Sequence, residues 1–208
     1  MRTVVLVGHL GGAFWNHFER WHQHHRSVAQ PLDAWSEEVI TELASAQGAR
    51  ACFPSNGPPF WPFQAWAVQA EAAAVRVSPL KLLIHKDAGL WHAYRGAILL
   101  PDVLDESLSG SNAETVLIDA RDDLKSACGK CIAKPCLSAC PVDAFAYDEF
   151  AAARCSEHIA GTAGKVCVSA GCVARSACPA APQYRYGQAQ SQFHMRAFMR
   201  SRLSDREV

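Results

Sequence analysis

Residues 128–141 read CGKCIAKPCLSACP, four cysteines in one short run with a proline after the last. A second run ends the same way: Cys155, Cys167, Cys172 and Cys178, then Pro179. The ninth cysteine, Cys52, stands alone and reads as a buried small hydrophobe. Eight clustered cysteines can serve as a disulfide framework, as two zinc sites or as iron–sulfur ligands. Disulfides belong to oxidising compartments, and the start MRTVVLVGHLGGAFW has no convincing signal-peptide cleavage region, so its glycines read as a turn after a strand. Zinc takes two pairs of cysteines separated by a loop and has no use for a terminal Cys-Pro. A ferredoxin-type run packs three cysteines closely and adds a fourth before proline, which ligates the other cluster. Here the spacings are Cys128-x2-Cys131-x4-Cys136-x3-Cys140-Pro141 and Cys155-x11-Cys167-x4-Cys172-x5-Cys178-Pro179. Both halves are longer than the simplest pattern, and an insertion of that kind can change a cluster's type or open a site.

The geometry of a cubane argues for exchange between the halves. A short loop wraps three thiolates around a cluster but does not easily bring round the fourth, so the chain runs on to the neighbouring cluster. The expected metal ligands are Cys128, Cys131, Cys136 and Cys178 for one [4Fe–4S] cluster and Cys140, Cys155, Cys167 and Cys172 for the other. Gly129, Ala139, Gly171 and Ala177 are small enough to let backbone N–H groups approach the sulfurs.

Around this module the chain has 208 residues, half of them hydrophobic, and a formal net charge of zero. That length suits one sizeable core, or a core with a small appended module. A neutral chain has no electrostatic footprint for nucleic acid, and no apolar run reaches the roughly 20 residues needed to span a bilayer. The expectation is a cytoplasmic protein with no nucleic-acid or membrane partner and with an electron-donor protein as its partner.

Upstream, TVVLVG (3–8) and ARACF (49–53) read as short strands, and AFWNHFERWHQHHR (13–26) as a helix. In PLDAWSEEVITELASAQG the apolar residues Leu32, Trp35, Val39, Leu43 and Ala46 recur at helical spacing, with Pro31 and Asp33 at the start and Gly48 at the stop. PSNGPPFWPF (54–63) is a loop whose aromatics either line a planar ligand or cap a core, and QAWAVQAEAAA (64–74) is a helix. LKLLIH (80–85) and WHAYRGAILL (91–100) read as two strands of a hairpin turning at KDAGL. PDVLDESLSGSNAE (101–114) is a polar boundary, TVLIDA follows it, and the tail from 184 is helical. His17, His22, His24 and His25 lie on one helix that supplies, apart from Glu19, none of the carboxylate or cysteine partners a metal site needs, so they read as an exposed face.

LKLLIHKDAGLWHAYRGAILLPD (80–102) resembles the corresponding segment of the vitamin B12-processing (cyanocobalamin decyanase) proteins, through Ile84-His85, Gly89 with Trp91, and Arg95-Gly96 before an apolar strand and a proline. With the two cysteine halves and ARCSEHI (153–159), residues 60 to 180 resemble epoxyqueuosine reductase. The resemblance implies an α/β (α+β, nitroreductase-like) domain at 1–112, a ferredoxin-like two-cluster [4Fe–4S] module at 113–183 and a helical tail at 184–208. It also implies a pocket for cobalamin or another corrinoid, with His85, Trp91, Tyr94 and Arg95 as cofactor-binding candidates. Packing for Trp91, an ion pair with Asp87 or Asp102 for Arg95 and a hydrogen bond for His85 are the competing roles.

The departures concern the reaction itself. NGPPFWPFQAWAVQAEAAA has no aspartate where that enzyme keeps its catalytic one, and Glu71 is its only carboxylate. VRVSPL stands in place of a glycine-rich segment. Without a general acid the reduction of an epoxide on a tRNA base is not carried over, and no catalytic residue is assigned. Two functions follow as expectations, beside a structural reading in which the clusters only staple a small loop-rich module together. One is an iron–sulfur oxidoreductase passing electrons to a cofactor or substrate in its first domain. The other is a ferredoxin-type electron carrier whose first domain docks a partner enzyme.

Overall fold

The computed structural model describes residues 2–71, 74–104, 127–145 and 149–204, except the side chains of 203 and 204. TVLIDA lies outside the described residues. The protein is mixed α and β, and it divides into two compact units: Met1–Val75 with His92–Leu117, and Arg76–Trp91 with Ile118–Val208. The sequence boundary near 112 leaves the 76–91 segment in the first domain, whereas the compact units place it with the cysteines.

The first unit is built on a three-stranded antiparallel sheet. β1 (Thr3–Leu10) and β2 (Arg50–Cys52) both pair with the central strand β5 (His92–Leu100). The register of β1 on β5 shifts between Val7 and Gly8, and a Cβ at Gly8 would run into the Ala93 carbonyl, so this bulge needs glycine. α1 (Trp15–His24) and α2 (Pro31–Ala46) follow β1. Proline at the first helical position fits α2 because its missing N–H would have had no partner there. Gly48 follows α2 at φ +61°, the left-handed region that ends helices.

α1 meets α2 through Phe14 and Phe18 on Trp35, with ring centroids 5.6 and 5.9 Å apart. Phe18 is fully buried, and removing such a ring from water stabilises by about 2–3 kcal/mol. α2 lies on the sheet where Gly96 leaves room: a Cβ there would sit 2.8 Å from Ile40 and 2.9 Å from Phe53. Cys52 is buried with Phe63 and Ala97, a packing role. α3 (Phe63–Ala70) supplies Phe63 and Trp66 to that cluster. In the loop before it, Phe60 is 67% exposed and Trp61 stacks at a tilt on Trp66 at 5.6 Å. The loop thus rests on Trp66 at one end through Trp61, while Phe60 and part of Trp61 stay in solvent.

The expected hairpin of 80–85 with 91–100 does not form. β4 (Leu83–His85) pairs with β3 (Val75–Val77), and β5 pairs with β1 and β2. The reason lies in the turns. Ser78 N–H donates to the Leu82 carbonyl at 2.8 Å and Lys81 N–H to the Ser78 carbonyl at 2.9 Å, which reverses the chain before β4. After β4, His85 and Gly89 exchange hydrogen bonds of 2.9 and 2.8 Å, a single bridge rather than a ladder.

In the second unit short helices carry the cysteines: α4 (Ala127–Lys130), α5 (Pro135–Ser138), α6 (Ala152–Ala160), α7 (Lys165–Ala170) and α8 (Val173–Ser176). α9 (Gln188–Ser204) packs on α6 and α7. Gly171, at φ +96°, lets α9 close in, since a Cβ there would sit 2.9 Å from the Ser191 side chain. Leu80, Ile84 and Leu90 share one buried cluster with Cys140, Ala144, Ala174 and Cys178. Gly89, at φ +59°, abuts the Ala180 carbonyl, 2.6 Å from where its Cβ would be. These contacts fasten the 76–91 segment to the cysteine-rich chain.

Candidate functional site

The eight clustered cysteines fall into two sets in space, each drawn from both halves of the sequence. Cys128, Cys131, Cys136 and Cys178 line one cavity, whose remaining wall includes Pro79, Ile84 and Lys134. Burial, followed by the charges of Cys178 and then Cys131, pushes the Cys136 thiol up. In the other set the Cys155 thiol is pushed up to about 11, first by burial and then by the charges of Cys172, Cys140 and Cys167. Burial raises Cys172 too, and Cys167 and Cys140 add to the rise. Cys140 and Cys178 are both buried in the cluster of Leu80, Ile84 and Leu90, and none of the nine cysteines is joined in a disulfide.

Local structure explains how neighbours in sequence come to face different sets. Pro135 starts α5, and Lys134 before it takes the left-handed conformation at φ 38° and ψ 56°. That reversal turns Cys136 back toward Cys131. α5 then ends at Ser138, and Ala139 N–H bonds back to the Pro135 carbonyl at 3.0 Å, so Cys140 leaves on a new heading. α8 does the same for Cys172 and Cys178, with Ser176 N–H on the Cys172 carbonyl at 2.9 Å and Cys178 N–H on the Arg175 carbonyl at 3.2 Å.

Backbone amides are already aimed at the sulfurs. Ala144 N–H donates to Cys140 Sγ at 3.3 Å. The Leu137 amide and the residue's own lower the Cys136 thiol, and those of Arg175 and Ala174 lower Cys172, against the upward push of burial. Such donors stabilise a thiolate and, in an iron–sulfur site, set the potential. The sequence expectation is that the small residues Gly129, Ala139, Gly171 and Ala177 leave room for such amides. Gly171 instead makes room for α9.

Among the described residues no group of three or more His, Cys, Asp or Glu is placed to hold a single metal ion. One zinc needs its donors about 2.0–2.3 Å from a common point. A cubane makes a different demand, because each of its four irons takes its own thiolate.

The four residues implied as a corrinoid wall each have partners within their own unit. His85 accepts at Nδ1 from Asp87 N–H at 3.0 Å and Ala88 N–H at 3.2 Å, which caps the turn after β4. Trp91 is 3% exposed and lies edge-on to Tyr186 at 5.4 Å. The Arg175 guanidinium lies against both rings, 4.9 Å from the Trp91 centroid and 4.5 Å from that of Tyr186, and donates to the Leu90 carbonyl. In the other unit Tyr94 donates its hydroxyl to Glu71 at 2.9 Å; burial first, then that bond and charge, push the phenol well above its usual range. Arg95 pairs with Asp33 at 2.6 Å, neither Asp87 nor Asp102, and lines a cavity of about 230 Å³ with Asp33, Glu37 and Phe53.

The helix-edge histidines bind their own helix: His24 and His25 reach the Arg20 and Trp21 carbonyls at 2.9 and 2.7 Å. Arg175 and Tyr186 escaped the sequence reading. Arg175 lies between Cys172 and Cys178, a position that could have marked it, whereas nothing in the sequence joins Tyr186 to Trp91. No described helix is long and apolar enough to cross a membrane. No family model, curated protein or solved structure matches this chain.

Proposed function

We propose that this chain is an iron–sulfur electron-transfer protein with two [4Fe–4S] clusters in its cysteine-rich unit, a ferredoxin-like module. Cys128, Cys131, Cys136 and Cys178 would hold one cluster, and Cys140, Cys155, Cys167 and Cys172 the other. The observation that carries the reading is the grouping itself: Cys178 lines a cavity with Cys128, Cys131 and Cys136, while Cys140 acts on Cys155 and Cys172. The donor set fits. Every candidate ligand is a thiol, backbone amides point at several sulfurs, and apolar side chains pack around them. Burial, and after it the charge of neighbouring cysteines, favours the protonated form of Cys136, Cys155 and Cys172 in the bare chain, and metal binding would release those protons. When bound, such clusters supply one-electron transfer at a potential set by charge, amide donors and exposure.

The carrier reading is favoured over an oxidoreductase acting on a corrinoid held in a nitroreductase-like domain. Tyr94 and Arg95 are committed to Glu71 and Asp33, and Trp91 is closed over by Arg175 and Tyr186. The test is anaerobic purification with iron and sulfide analysis. About eight of each per chain is expected; about four, or stoichiometric zinc, refutes the two-cluster reading. Cob(II)alamin added to the reduced protein should keep its visible spectrum. Its reduction would make the corrinoid oxidoreductase the correct reading.

A further inference from the structure

Three exposed lysines and two exposed apolar side chains lie on, or at the end of α4 just before, the two loops that border the cavity of Cys128, Cys131, Cys136 and Cys178. One loop is the stretch between Cys131 and Cys136, longer by two residues than in the simplest cluster-binding run. It holds Ile132, 95% exposed, with Lys130 before it and Lys134 after it. The other is the 78–82 turn, whose Pro79 lines the cavity and whose Lys81 and Leu82 are exposed, Leu82 at 41%. Lys81 and Lys134 are two of the four non-glycine residues with positive φ among those described. A left-handed backbone at a long side chain costs about 1 kcal/mol or more and persists only where the surroundings demand it. Among the described residues no acid lines this cavity, and the nearest acid along the turn, Asp87, lies beyond β4.

A chain with 20 basic and 20 acidic residues therefore gathers positive charge around an apolar centre beside one set of cysteines. Lone exposed apolar residues are ordinary, but a nearly bare isoleucine with a lysine two residues to either side, beside the cavity of four cysteines, has the make-up of a transient docking patch. Electron-transfer encounters are small, and complementary charge speeds their formation more than it tightens them.

We propose that this face docks a small acidic electron-transfer protein, its carboxylates on Lys81, Lys130 and Lys134 and an apolar patch over Ile132. This rests on the two-cluster reading above. One electron passes between the partner's flavin or iron–sulfur group and this chain, one side oxidised by one electron and the other reduced by one, with no bond made or broken.

Stopped-flow oxidation of the reduced, cluster-loaded protein tests it, with flavodoxin as the acidic probe and cytochrome c as the basic one. Rising salt should slow the flavodoxin reaction and quicken that with cytochrome c. K81E/K130E, at positions outside the cavity wall, should slow flavodoxin at low salt by about tenfold or more and speed cytochrome c, with iron and sulfide unchanged. Ile132→Ser should slow flavodoxin several-fold and leave the salt slope alone. Rates independent of salt, or unchanged in K81E/K130E at full iron content, overturn the docking face. Lysine-dependent binding of a labelled RNA without these rate effects overturns it in favour of a polyanion surface. Absence of iron from the wild type refutes the two-cluster reading itself, before any rate is measured.

Discussion

The exchange of ligands between the halves can be tested with two double variants that remove the same number of thiols. C136A/C178A takes two ligands from one spatial set, and C136A/C140A takes one from each. On the spatial grouping the first destroys one cluster and spares the other, so iron falls from about eight to about four and an intact [4Fe–4S] signal survives. The second leaves both clusters with three ligands, and no intact four-ligand cluster survives. A grouping by sequence, with Cys128 to Cys140 as one site, predicts the reverse. Loss of fold does not mimic the result. Cys178 is 7% exposed and packs with Leu80, Ile84 and Leu90, so trimming its sulfur costs the apo chain about 1 kcal/mol, as for one buried methylene. Cys136 and Cys140 each lose an atom of the same size, which keeps the two variants matched in fold. The assay is iron and sulfide content with low-temperature EPR of the reduced protein, and circular dichroism to confirm matched folding. An intact cluster in C136A/C140A together with none in C136A/C178A refutes the exchange.

Arg175→Gln should lower stability to chemical denaturation by about 3 kcal/mol, from two cation–π contacts and a charge-assisted bond to the Leu90 carbonyl. Arg175→Lys should recover only a fraction, because a compact ammonium cannot reach both ring faces and the Leu90 carbonyl as the broad guanidinium does. Tyr94 sets an alkaline limit on the first unit. Its phenol is raised from 10.0 in the fold, so the unfolded chain loses that proton first, and the stabilisation present below pH 10.0 fades as pH rises beyond it. Thermal midpoints measured from about pH 8 to about pH 11 should therefore show the gap between wild type and Tyr94→Phe narrowing above about pH 10; a constant gap would place the effect in packing rather than ionisation.

Much of the local structure was legible in the sequence because it depends on near neighbours. The apolar spacing of Leu32, Trp35 and Val39 and the stop at Gly48 locate α2 without tertiary help. VRV (75–77) was not recognised as a strand, and at three residues it carries too little pattern to announce itself. The LKLLIH and WHAYRGAILL stretches read as partners because a glycine-bearing turn lies between them, yet each found a different sheet. Strand pairing is decided by which faces can be buried together, and alternation within one strand does not name its partner.

The sequence by itself determined the chemistry on offer: eight thiols in two runs, each closed by proline, on a chain of zero net charge. Only the tertiary structure decided where residues 76–91 belong. Leu80, Ile84 and Leu90 bury themselves against Cys140 and Cys178, and Arg175 closes over Trp91, contacts between segments far apart along the chain. Burial of apolar surface is non-directional and ignores sequence distance, so no local pattern could announce that this segment forms part of the wall around the cysteines.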